Sequence, residues 1–164
     1  MAQVWSAAPS AHSATFAPSA RSAPATPDQP YIEALLFDVG GVLIEVDFRL
    51  AFAHWAQCAS VPIEQVASRF RADAAYDAHE RGEIGGAEYF AALRTSLGID
   101  IPDEQFEIGW CSIFRNAISG AAELLKRLAA IRPVYLFSNT NALHYEHWRA
   151  QFPEIVTPVT QTFC

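Results

Sequence analysis

The apolar run Ile32 to Phe37 stops at Asp38-Val39-Gly40-Gly41, the pattern of a short buried strand closed by a turn. From Phe48 the spacing of apolar residues lengthens to three and four, and helices are predicted. Phe48, Phe52 and Trp55, with Ala51 and Ala56, share one face. Pro62 is placed to open a second helix carrying Ile63, Val66, Ala67 and Phe70. A segment through Tyr76 ends at Gly82. A further helix from about Ala87 carries Tyr89, Phe90, Leu93 and Leu97, with Gly98 where a left-handed cap is expected. Pro102 to Asn116 reads as one more helix, with Phe106, Trp110, Ile113 and Phe114 on its face.

Ser119 is the expected N-cap of a helix over Ala121 to Ile131, with Leu124, Leu125 and Leu128 facing inward. Pro133 breaks that helix, and Val134 to Phe137 reads as a second buried strand ending in Ser138-Asn139-Thr140-Asn141. A helix from about Ala142 to Gln151 follows. Ile155 to Thr160 is expected to begin a third strand, although Pro158 counts against it. Strands joined by long helical crossovers imply a parallel α/β sheet. The predicted organisation is therefore a partial α/β core, residues 31–47 and 119–164, carrying a helical cap over 48–118.

Composition changes the picture at the amino terminus. Of the first 30 residues, 9 are Ala, 5 Ser and 5 Pro. Such a stretch buries too little apolar surface to offset its ordering entropy, so residues 1–30 read as a disordered tail or as the product of a start codon set too early. With Arg21 as its sole basic residue, the stretch is a poor organelle leader, and it lacks the apolar core of a secretory signal. In the whole chain of 164 residues, 51% are apolar, ample for a core, and the formal charge of −7 argues against a nucleic-acid surface. No run approaches the ~20 apolar residues needed to cross a membrane. Cys58, Cys111 and Cys164 are scattered, with no CxxC pair, and read as reduced thiols of a cytoplasmic protein.

Open parallel sheets bind ligands beyond the carboxyl ends of their strands. Two predicted strands end in polar residues, Asp38 and Ser138-Asn139. Adjacent parallel strands would bring together a carboxylate, a hydroxyl and backbone N–H groups at a helix start, which suit a phosphate group. Gly40 and Gly41 leave room for close approach. The plainer reading, a glycine turn after one strand and a Ser-Asn cap after another, stands beside it.

Phe37-Asp38-Val39-Gly40-Gly41-Val42-Leu43 resembles the first motif of the haloacid dehalogenase (HAD) superfamily, and Phe137-Ser138-Asn139-Thr140 resembles its second. The helical insertion between them matches that superfamily's small cap. From Ile32 to about Thr160 the chain also resembles bacterial α-D-glucose-1-phosphate phosphatases. The segments that carry this are His79-Glu80-Arg81-Gly82-Glu83-Ile84, Glu104-Gln105-Phe106 with Gly109-Trp110, and Ser138-Asn139-Thr140-Asn141 with Leu143-His144. The resemblance implies an α/β HAD-like fold and a Mg²⁺-dependent hydrolase acting on a small phosphorylated metabolite. Asp38 would be the nucleophile that forms an aspartyl-phosphate. Asp38 and the carbonyl of Gly40 would be metal ligands, and Ser138 with the N–H of Asn139 would hold the phosphoryl oxygens.

The chain departs from the superfamily pattern in two places. Gly40 stands where many members carry a second aspartate as general acid and base, a loss of ~10²–10⁴-fold in rate if nothing replaces it. The third motif's lysine and the fourth motif's carboxylates have no counterpart after Thr140: Lys126 is the chain's sole lysine, and beyond Asn141 the acidic residues are Glu146 and Glu154. The expectation is thus the front part of a longer enzyme, weak or inactive alone. Alternatives are a haloacid dehalogenase, which needs no metal, and a degenerate non-catalytic domain. His144, Glu146 and His147 are expected on an exposed helix surface, and His79-Glu80-Arg81 at a solvated helix end with a local ion pair. Trp55, Trp110 and Phe114 are expected in the cap's own core, and Cys58 and Cys111 as buried thiols.

Overall fold

Apolar residues dominate two short runs, β1 (Leu35–Phe37) and β4 (Val134–Phe137), and these with β5 (Gln161–Phe163) form one parallel sheet in the order β1-β4-β5. The computed structural model describes residues 32–164, so the expectation for residues 1–30 lies outside the described residues. A second, antiparallel pair joins β2 (Ile44–Val46) to β3 (Phe114–Ala117). Between these two strands run α1 (Phe48–Ala59), α2 (Ile63–Arg69), α3 (Ala74–Glu80), α4 (Gly86–Leu97) and α5 (Asp103–Cys111). After β3 come α6 (Ala121–Ala129), α7 (Ala142–Gln151) and the single turn α8 (Pro153–Val156). The architecture is the expected α/β class with a parallel sheet and a helical insertion. Among the described residues no helix is long and apolar enough to cross a membrane.

The inserted helices form where local chemistry allows them to start and stop. The Asp47 carboxylate accepts from Arg49 N at 3.0 Å to open α1, and the Asp73 carboxylate accepts from Ala75 N and Tyr76 N to open α3. Gly98 ends α4 at φ +64°, as expected of a left-handed cap. Their apolar faces meet in an aromatic core. Trp55 and Trp110 stack at 6.1 Å, Phe90 and Phe106 at 5.9 Å, and Trp55 Nε1 donates to the Phe106 carbonyl at 3.1 Å. Trp55 and Trp110 thus serve the core of the insertion as expected.

Several local expectations need correction. The helix expected over Pro102 to Asn116 ends at Cys111, and Phe114 lies in β3, because Asp47 N and Ile118 N bond to the carbonyls of Ile113 and Leu43 and zip the two ends of the insertion together. Ser119 is not a cap. Gly120 takes that place at φ +83°, with no side-chain capping bond. On α6, Leu125 is buried but Leu124 is exposed, since the inward stripe centres on Ala121 and Leu125, four residues apart. The third strand begins at Gln161 rather than Ile155: Pro153 starts a helical turn that buries Ile155. Cys111 is buried, and burial pushes its thiol up to about 11, whereas Cys58 is exposed with Sγ on Gln105 Oε1 at 3.3 Å.

Candidate active site

The turn after β1 is built from Val39 to Ile44. Leu43 N and Ile44 N both donate to the Val39 carbonyl, at 2.8 and 3.1 Å, and Gly41 N donates back to Ile44 at 2.8 Å. Buried Val39 and Leu43 anchor this tight loop, and Gly41, at φ +73°, supplies a conformation that side chains resist. Gly40 is different: a Cβ there would meet only Val46 Cγ2, at an ordinary 3.5 Å. Protein packing does not demand glycine at that position.

Parallel pairing sets Phe37 against Leu136, so the residues that follow, Asp38 and Ser138-Asn139, emerge at the same carboxyl edge of the sheet. Asp38 is exposed there, with Oδ1 accepting from Val39 N at 2.7 Å. Ser138 is buried, and its N–H donates to the Phe163 carbonyl of β5 at 3.0 Å, which fixes the loop. Asn139 is exposed at the same edge. The structure therefore brings Asp38, Gly40, Ser138 and Asn139 to one place. No hydrogen bond joins Asp38 to Ser138 among the described residues.

A cavity of about 310 Å³ opens at this edge, walled by Gly40, Ser138 and Asn139 from the sheet side and by Tyr76, Glu80 and His144. Asp38 lies beside it rather than in its wall. Among the described residues no lysine or arginine lines it.

Asn141 organises the far side. As N-cap of α7 it accepts from His144 N at 2.9 Å through Oδ1, while Nδ2 donates to Glu80 Oε1 at 2.7 Å and to His144 Nδ1 at 3.1 Å. With Nδ1 accepting, His144 Nε2 carries the proton and donates to the Trp110 carbonyl at 3.0 Å. Glu80, Asn141, His144 and Trp110 thus form one polar chain linking α3, α7 and α5. Burial drives the pKa of His144 down to about 3, the Trp110 carbonyl opposing and His79 and His147 adding to the fall. Burial also raises the Glu80 carboxyl above the usual glutamate range, against the pull of the Asn141 amide.

Two surface expectations are overturned here. His144 is not on an exposed face: it is buried, stacked on Trp110 at 4.7 Å, and faces inward one helical turn before buried Trp148. His79 is buried against Tyr89 at 4.5 Å with its imidazole pKa lowered by desolvation, so His79-Glu80 is no solvated end; the expected ion pair exists as Arg81–Glu83, at 2.6 Å. Sequence reasoning assigned no site role to Glu80, Asn141 or His144. The signal available was the triplet Asn141, His144 and Trp148, which combines a capping residue with a buried i, i+4 pair.

The oxygen donors at the sheet edge, one carboxylate and the Gly40 carbonyl, are hard ligands of the kind Mg²⁺ takes while keeping several waters and contacts to a bound phosphate. Among the described residues there is no cluster of three or more His, Cys, Asp or Glu side chains that would favour a softer, fully protein-bound metal. The residues present fit Mg²⁺.

No family model matches the chain. Solved structures do. A HAD family enzyme of Bacteroides thetaiotaomicron, crystallised with magnesium and inorganic phosphate, is 27% identical with a TM-score of 0.68, over 81% of this chain and 68% of that one. A predicted HAD-like hydrolase of Porphyromonas gingivalis shares the fold at 16% identity and a TM-score of 0.63, over 81% of this chain and 66% of that one. An L-2-haloacid dehalogenase of Xanthobacter autotrophicus shares it at 16% and 0.53, over 81% and 56%. By fold and by the motifs that end β1 and β4, the chain is similar to hydrolases of the haloacid dehalogenase superfamily.

Proposed function

We propose that the protein is a Mg²⁺-dependent phosphomonoester hydrolase that acts on a small phosphorylated metabolite, such as a sugar 1-phosphate, through a phosphorylated Asp38. The observation that carries this reading is the shared edge of β1 and β4, where Gly40, Ser138 and Asn139 wall a cavity of about 310 Å³ and Asp38 lies beside it. Asp38, exposed and without an ion pair among the described residues, is available to attack phosphorus in line. Ser138 and the N–H of Asn139 orient the phosphoryl oxygens. Asp38 and the Gly40 carbonyl are the groups that would hold Mg²⁺, which when bound offsets the repulsion between two anions. Tyr76, Glu80 and His144 form the wall that faces the sheet edge.

With no lysine or arginine in the wall among the described residues, charge around the phosphate is underbalanced and turnover is expected to be slow. The decisive measurement is intact mass after acid quench with 4-nitrophenyl phosphate and Mg²⁺. Wild type gains one phosphate, while Asp38→Asn and metal-chelated samples gain none. Phosphate retained on Asp38→Asn, or hydrolysis unchanged by that substitution, would remove Asp38 from the reaction.

A further inference from the structure

We propose that Glu80 is the general acid and base of this site, supplying from the helical insertion the carboxyl group that Gly40 lacks. The role rests on the phosphatase reading above and extends it. Among the described residues Glu80 is the sole carboxylate in the wall of the 310 Å³ cavity, which also holds Gly40, Ser138 and Asn139. In so small a space, a phosphate held at the sheet edge carries its ester oxygen toward the opposite wall. That wall is Tyr76, Glu80 and His144. His144 cannot supply the proton, because its Nε2–H is committed to the Trp110 carbonyl and its Nδ1 to Asn141. Tyr76 holds its phenol proton tightly, its pKa raised by burial and by Glu80 and Asp77, which makes it a weaker donor than a carboxylic acid.

Glu80 is placed differently. The Asn141 amide occupies Oε1 at 2.7 Å, and Oε2 has no partner among the described residues, so one oxygen is fixed and the other is free to carry a proton. Burial raises its pKa, which is the direction a proton donor near neutrality needs, and the neighbouring Asp77 of α3 and Arg81 just after it are exposed. The steps balance as follows. As the Asp38 carboxylate bonds to phosphorus and the P–O ester bond breaks, the Glu80 carboxylic acid gives its proton to the departing oxygen, which leaves as an alcohol. The Glu80 carboxylate then takes a proton from water as that water attacks phosphorus. The bond to Asp38 breaks, inorganic phosphate leaves, and Glu80 is again protonated.

Glu80→Gln keeps the acceptor for Asn141 and loses the transferable proton. Phosphorylation of Asp38 by 4-nitrophenyl phosphate, whose leaving group needs no acid, should stay within about 5-fold of wild type. Phosphorylation by glycerol 1-phosphate, which has a poor leaving group, should fall by about 10²-fold or more. With nitrophenyl phosphate the variant should release one equivalent of nitrophenolate in a burst and accumulate phosphorylated Asp38, because the water step lacks its base. Equal loss on both esters, or no loss on either, overturns the role of Glu80 while leaving Asp38 in place. Wild type itself supplies a second measurement that does not depend on the variant folding. Its phosphorylation rates across aryl, sugar 1- and alkyl phosphates should vary by no more than about tenfold, and a spread of several orders of magnitude would show that no acid assists departure. A wild-type chain that never carries phosphate on Asp38 overturns the underlying phosphatase reading, and the role of Glu80 with it.

Discussion

Around Trp110, neighbours crowd in from many sides: Trp55, Phe48, Phe70, Tyr76, Tyr89 and His144 all lie within ring contact. Across Leu36 one whole direction is open. The sheet packs Val134 and Leu136 inward, yet on its other face Leu36 is 63%, Phe137 53% and Phe163 43% exposed. Parallel sheets are ordinarily covered on both faces. The insertion and the sheet therefore divide the labour unequally: helices supply most of the aromatic packing, and the sheet supplies an edge where reactive groups stay accessible. Asp38 is exposed because it belongs to the second region, and His144 is silenced because it has been drawn into the first.

The strongest way to break that contrast is to empty the packed region. Trp110→Ala should cost about 3–5 kcal/mol, measured by urea unfolding, since a fully buried indole leaves a cavity that its neighbours cannot refill. A loss under about 1 kcal/mol would mean that the aromatic stack is loosely held.

Protonation tests the same contact from its polar side. The His144 pKa falls from its ordinary 6.5 to about 3 in the folded protein, so between those values the unfolded chain binds the proton more readily. Its contribution to stability is complete above the unfolded value and is lost as pH falls from 6.5 toward 3. The slope is about 1.4 kcal/mol per pH unit, and the loss reaches about 3 kcal/mol by pH 4. Glu80, whose carboxyl pKa is raised, works in the opposite direction and blunts part of this loss. Melting temperatures from pH 7 to 4, compared between wild type and His144→Gln, measure the difference. Parallel curves would place the imidazole in water.

Periodicity made the packed region legible. Helices α1 and α4, the cap at Gly98, and β4 with its polar ending were all readable from spacing and turn chemistry, because each depends on residues within one or two turns. What stayed hidden depends on partners distant in sequence. β3 could not be told from the end of a helix, since Phe114 keeps helical spacing and only pairing with Ile44–Val46, some 70 residues earlier, makes it a strand. His144 looked like surface because histidine between Tyr145 and Leu143 carries no sign of burial, and its place is fixed by the Trp110 carbonyl. That Asp38 and Ser138-Asn139 meet at one sheet edge was legible because parallel topology alone brings strand ends together. Glu80 was not, since it joins them only through Asn141.

A milder test of the packed region adds one methyl group. Gly109 lies on α5 against Trp55, where a Cβ would stand 2.6 Å from Trp55 Cδ1, closer than real Cβ contacts allow. The indole is itself pinned by its bond to Phe106, so it cannot swing aside without losing that partner. Gly109→Ala should therefore destabilise by about 1–3 kcal/mol despite the better helix propensity of alanine. A gain in stability would show that the stack has slack.

The smallest expected change in stability is on the open face, and there it is informative for being small. Leu36→Lys places a charge at the centre of that face, on a strand that forms one edge of the sheet among the described residues. If the face is bathed in water, the substitution removes no packing, and unfolding free energy should shift by less than about 0.5 kcal/mol. Apolar exposure of this kind instead drives chains together, and a charged edge strand resists it. The mass measured by light scattering should accordingly depend less on concentration in the variant than in wild type. A loss of more than about 1 kcal/mol with no change in association would mean that Leu36 is covered in solution, and that the two regions are packed more alike than their exposures imply.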